Sequence, residues 1–202
     1  GHKPTQLQEY EMSGKKILML CGEFTEEYEI FVFQQGMEAV GHTVHVICPD
    51  KKKGEMIQTS LHDFEGHQTY IERFGHLAEI NKTFSEVNLE EYDAVYCAGG
   101  RGPEYIRTDK RIQAMVRHFH ETQKPIFTIC HGVQILVAVD GVVRGKKVAA
   151  LGACEPEVIL AGGTYIDVAP HEAYVDGTMV SAKGWTGLAA FMRECMKVLG
   201  TK

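Results

Sequence analysis

The chain has 202 residues, 44% hydrophobic and 24% charged, an ordinary globular balance long enough for one domain with a substantial core. Its formal charge of −6, with acids and bases spread along the chain, argues against nucleic acid as a partner, and no apolar stretch approaches the roughly 18 residues of a membrane span. Cysteines 21, 48, 97, 130, 154 and 195 lie far apart without a C-x-x-C pair, which excludes a disulfide framework and predicts reduced thiols in a soluble, cytoplasmic protein.

Residues 1–14 are expected to form a disordered arm or a cloning remnant: the start is polar, lacks the apolar segment of a secretory signal, and Met12-Ser13-Gly14 offers an alternative beginning. Residues 15–202 then read as a single domain. The apolar run 15–22, ending in glycine, predicts a buried strand, and residues 27–40 have helical spacing (Ile30, Phe31, Phe33, Met37, Val40) with Gly41 as the stop. Alternation over 43–48 predicts a second strand, stopped by Pro49, so the chain opens as a βαβ unit. Lys51 to Lys53 is a short basic run expected in a solvated turn. Between 51 and 86 the pattern weakens around Gly54, Gly66 and Gly75, and a loop with a hairpin excursion is expected, including a short strand at 69–72. A buried strand at 94–98, an amphipathic helix at 109–122 and an apolar strand at 125–129 follow, the last leading directly into Cys130-His131-Gly132 and a helical stretch at 133–139. A strand at 147–151, a short helix at 155–161, a hairpin at 173–181 turning at Asp176-Gly177, and a closing amphipathic helix at 185–199 complete the chain. The alternation predicts a doubly wound α/β domain with a mostly parallel sheet flanked by helices.

In a parallel sheet the loops at the carboxyl ends of the strands gather along one edge, where ligands bind. Three glycine-punctuated strand ends converge there: Cys21-Gly22, Gly99-Gly100 and Cys130-His131-Gly132. The third has the form of a nucleophile elbow, a strained strand-to-helix turn that projects its side chain into a cleft. A thiol placed there, with the following helix N-terminus favouring its anion, is expected to have a depressed pKa and to act as a nucleophile. Against this stands the plainer reading of Ile-Cys-His-Gly as a buried thiol closing a strand, and spacing alone does not decide between them.

The segment Phe127–Gln134 resembles the A-I-C-H-G-P-Q elbow of the PfpI/ThiJ superfamily, the family of the parkinsonism-associated protein deglycase. Gly99-Gly100-Arg101-Gly102-Pro103-Glu104-Tyr105 resembles that family's G-G-R-A-P-E-Y segment. Cys21 to Glu29, His62 to Tyr70 and Ala161 to Thr164 are similar to segments of its plant glyoxalase III-like branch. The resemblance runs from about Lys15 to Gly200. It implies a flavodoxin-like, class I glutamine amidotransferase-like fold with a small hairpin excursion, and a site that needs no cofactor and no metal. It also implies Cys130 as nucleophile and Glu29 as a buried, protonated acid that donates to the thiolate, with Glu26 matching a second family acid that competes for the same role. His131 is implied as a catalytic partner oriented by Glu104 of a neighbouring subunit, so a homo-oligomer with the site near an interface is expected. Gly99, Gly100 and Arg101 are implied as the oxyanion and substrate-binding segment, with the backbone amides of Gly100 and His131 as oxyanion donors. Val133 and Gly102 depart from the family's usual proline and alanine without removing a functional side chain.

Read without the family, Glu29 is a solvated acid of a first helical turn. His118 and His120, two apart on a helix, face different directions, and His62, His67 and His76 lack a zinc spacing and are expected in solvent or hydrogen-bonded. The glycine-rich 99–102 lacks the features of a nucleotide-binding loop. Cys21, Cys48 and Cys97 are expected as core filler, and Trp185 as packing for the last helix, although the resemblance to the plant branch implies that this stretch approaches the site. Three functions follow from the reactive thiol. The first is an enzyme on small 2-oxoaldehydes, glyoxalase III-like or a deglycase. The second is a cysteine peptidase or amidase, and the third a redox sensor or chaperone whose thiol oxidises to sulfinic acid.

Overall fold

The structure, a computed structural model, describes residues 14–202, so the expected arm lies outside the described residues apart from Gly14. Strand β1 (Lys16–Leu20) is buried on both faces, Ile17 and Met19 toward one side of the sheet and Leu18 and Leu20 toward the other. A short β2 (Thr25–Glu26) leads into α1 (Glu27–Ala39), and β3 (Thr43–Ile47) returns parallel to β1. After the excursion the chain re-enters through β6 (Ala94–Cys97), α2 (Gly102–Ile106), α3 (Lys110–Glu121) and β7 (Ile126–Ile129). Next come α4 (Val133–Val137), β8 (Lys147–Val148), α5 (Glu155–Leu160) and β9 (Thr164–Tyr165). The chain ends in β10 (Ala173–Asp176), β11 (Met179–Ala182) and α6 (Leu188–Leu199). The main sheet runs β10-β11-β7-β6-β1-β3, with only β10 antiparallel, as expected for a doubly wound α/β fold. Helices α1 and α6 cover one face, where Phe33 stacks on Tyr96, and α3 and α4 cover the other through Val116, Phe119 and Leu136. Each such side chain removed from water contributes roughly 1.5–3 kcal/mol.

The excursion is more regular than the sequence indicates. It is an antiparallel pair of long strands, β4 (Met56–Asp63) and β5 (Ile71–Glu79), extended by β2 into a second sheet. Most of β5 faces solvent, so it carries no apolar alternation, and its order comes from pairing with β4. The expected strand at 147–151 shortens to two residues, because Ala149 N–H goes to Ser181 Oγ and Leu151 N–H to the carbonyl of Cys130. Residues 185–187 form a 3₁₀ turn ahead of α6 instead of its first turn, and α2 was not foreseen. Among the described residues no helix is long and apolar enough to cross a membrane.

Candidate active site

Strand β7 ends at Ile129 and Cys130 follows with φ +58°, in the left-handed region. For a residue with a Cβ that conformation costs roughly 1–2 kcal/mol and persists only where the surroundings over-determine it. They do so here through glycines. A Cβ on Gly132 would collide with the Cys97 carbonyl, and a Cβ on Gly99 would lie 2.5 Å from both Cys130 Cβ and Glu29 Oε1. Gly99→Ala must therefore displace either the thiol or the acid. We expect about 1–3 kcal/mol of lost stability and at least about 100-fold lower turnover, read from melting curves and steady-state rates.

The acid lies beneath the thiol. Glu29, in the first turn of α1, is 0% exposed, contrary to the solvated alternative, and its Oε1 accepts the Gly99 N–H at 2.8 Å. Glu26 caps the same helix, its Oε2 accepting the Glu29 N–H at 3.1 Å, and it lines the cavity above. The two acids thus divide the role for which they were expected to compete. Burial first and Glu26 second push the Glu29 carboxyl well above its usual range, against the Gly99 amide and the Cys130 thiol, so this acid is held neutral. Glu26 is raised to about 7, chiefly by burial.

Cys130 is 8% exposed and opens into a cavity of about 420 Å³. The depressed pKa expected of the elbow is corrected by its surroundings: burial and the Glu29 carboxyl push the thiol up, and the backbone N–H groups of Gly100 and His131 only partly offset them. The following element is a 3₁₀ turn and a five-residue helix, too short for a large dipole. Cys130 and Glu29 therefore hold their protons as a pair, and thiol ionisation requires a proton to move within the site.

His131 reaches the thiol of its own chain, Nδ1 lying 3.4 Å from Cys130 Sγ, while Nε2 lies 3.5 Å from Tyr70 Oη. Burial lowers its pKa to about 4, so the ring is a neutral imidazole at pH 7. The amides of Gly100 and His131 face the sulfur, whereas the Gly99 amide is taken by Glu29, which removes it from the expected oxyanion set. Arg101 is also placed elsewhere: its guanidinium clasps Glu72 at 2.8–3.2 Å and lies over Phe24, outside the cavity wall. Glu104 is exposed on α2 and does not line the cavity.

The remaining wall comes from segments outside the expected set of site residues. Tyr70 and Phe64 descend from the β4–β5 excursion, and His62 takes the hydrogen-bonded of its two expected settings, buried and held by Glu72 at 3.1 Å. Trp185 lines the cavity as well as abutting α6, and its indole N–H donates to the His62 carbonyl at 2.8 Å. Leu151, Pro170, Lys183 and Thr186 also line the cavity. The 62–70 segment and the Trp185 stretch carried a signal, in both cases through the family resemblance. Cys21, Cys48 and Cys97 are buried, as expected of core thiols.

Comparison with known proteins agrees with this geometry. The DJ-1/PfpI family model matches residues 15–198. Protein DJ-1 homolog D of Arabidopsis thaliana is 40% identical over 191 residues, 94% of this chain but 49% of that protein, so the chain spans about half the length of this relative. Protein/nucleic acid deglycase 2 of Escherichia coli is 32% identical over 187 residues, 92% of this chain and 98% of its own. Among solved structures, a ThiJ/PfpI domain protein from Brachyspira murdochii superposes with a TM-score of 0.77 at 24% identity, covering 93% of this chain and 96% of that one, which shows the shared fold. With its elbow cysteine, its buried glutamate and its sheet order all in place, this chain belongs to the DJ-1/PfpI family.

Proposed function

We propose that the chain is a cofactor-independent cysteine enzyme acting on reactive 2-oxoaldehydes, glyoxalase III-like, converting methylglyoxal and water to lactate. The observation that carries this reading is a strained Cys130 at a cavity floor, with a neutral acid beneath it and two backbone donors beside it. The thiol adds to the aldehyde carbon, forming a C–S bond while its proton passes to the new oxygen. That oxygen is held by the Gly100 and His131 amides. The C1 proton of the hemithioacetal then leaves and C2 gains one, through an enediol, with the Glu29 carboxyl and the neutral His131 imidazole as exchanging groups. The product is a lactoyl thioester on Cys130, and attack by water releases lactate and restores the thiol. No electron acceptor is required, because C1 is oxidised as C2 is reduced. Incubating the protein with methylglyoxal, without glutathione, should give lactate, and its absence would overturn the reading. Relatives named deglycases support the same chemistry on an aldehyde carried as an early glycation adduct.

We also propose a homo-oligomer in which Glu104 of a neighbouring copy approaches His131. An exposed Glu104, unable to serve its own cavity, supports this. Light scattering should give at least twice the chain mass, and Glu104→Ala should lower turnover about 10-fold; a monomer of full activity would refute it. A peptidase would draw on the same Cys130–His131 pair, and turnover of a fluorogenic peptide with no lactate from methylglyoxal would favour it over the oxoaldehyde reading.

A further inference from the structure

The cavity is far larger than methylglyoxal requires. At about 420 Å³ it falls within the range that encloses drug-sized ligands, whereas methylglyoxal extends only one methyl group beyond its two carbonyls. Phe64, Tyr70, Leu151, Pro170 and Trp185 give the space aromatic and aliphatic walls. Such walls favour a substrate with an apolar body.

Besides Glu26, whose carboxyl is raised to about 7, one charge breaks this lining. In the parallel β11–β7 pair Ala182 is the register partner of Ile129, so Lys183 leaves the sheet edge one strand away from Cys130, about 5 Å in the hydrogen-bonding direction. Lys183 lines the cavity, and among the described lining residues it is the one fixed cation, because burial favours the neutral form of both His62 and His131. Its partner Asp167 lies outside the wall with a side chain 75% exposed. With one partner so open to water, this ion pair is weak. A carboxylate arriving inside the drier cavity competes with it on favourable terms.

We propose that the cavity selects 2-oxoaldehydes with an apolar body and an anionic end, and that Lys183 seats the anion while the aldehyde meets Cys130. The inference rests on the oxoaldehyde reading of Cys130 and specifies its substrate class. Phenylglyoxal and 4-carboxyphenylglyoxal differ only in that anion. The wild type should prefer the carboxylated compound about 10-fold in kcat/KM, mainly through KM. Lys183→Met should bring the ratio close to one, and Lys183→Arg should retain it. A preference that survives in Lys183→Met, or no preference in the wild type, overturns the proposal. A second measurement does not involve turnover: benzoate should protect Cys130 from iodoacetamide better than benzyl alcohol does, followed by mass spectrometry at residue 130, and Lys183→Met should abolish the difference. If that protection holds while no glyoxal is consumed, the anion seat stands and the oxoaldehyde reading fails. If both glyoxals are consumed equally and benzoate has no advantage, the seat fails and the oxoaldehyde reading stands.

Discussion

Cys130→Ala is expected to lower lactate formation from methylglyoxal by about 1,000-fold or more, because the covalent adduct cannot form without Sγ. Its melting temperature should stay within a few degrees of wild type, since the side chain faces a cavity and alanine removes a single atom. Cys130→Gly separates reactivity from strain. It is equally inactive, yet glycine adopts the φ of +58° without penalty, so this variant should match or exceed the alanine variant in stability. Lactate production persisting in either variant would remove Cys130 from the chemistry.

Glu29→Gln produces the second large effect, and it separates into two readouts. Glutamine keeps the oxygen that accepts the Gly99 N–H but cannot exchange a proton, so kcat should fall about 100- to 10,000-fold. The stability readout has the opposite sign. In the unfolded chain Glu29 loses its proton near the ordinary glutamate value of 4.5, whereas in the fold burial and Glu26 keep it protonated well above that. A raised folded pKa means that stability is complete below 4.5 and declines as pH rises, by about 1.4 kcal/mol per pH unit, until the folded carboxyl itself ionises. The wild type should therefore lose stability between pH 5 and pH 7 more steeply than Glu29→Gln, by about one proton's slope, and the variant should be the more stable at pH 7. Glu26, raised to about 7, adds a decline of the same sign to both proteins. Denaturant titrations at pH 5, 6 and 7 measure the difference, and parallel slopes would show that Glu29 is ionised in the fold.

The core strands and the elbow were readable from residue order because their determinants are local. A four-residue apolar run such as 17–20 has no stable place except inside a sheet, and a strand running into Cys-His-Gly must turn where it ends. The hairpin strands were not readable, since β5 is stabilised by the edge of β4 and only weakly by burial of its own side chains. The His62 environment was hidden for the same reason: Glu72 and the Trp185 indole meet it from 10 and 123 positions away. Glu29 illustrates the limit most directly. Its place in a first helical turn is a local fact, but its neutrality depends on Gly99, Cys130 and Glu26 closing around it.

The order of residues by itself determined the α/β class, the place of the elbow cysteine and the family, because hydrophobic period, glycine placement and short motifs act within a few positions of the chain. Tertiary structure alone decided the protonation of the thiol–acid pair, the release of Arg101 to Glu72 and the arrival of Lys183 beside Cys130. Those outcomes depend on desolvation and on strand register, which arise only when segments far apart in the chain exclude water from a shared space.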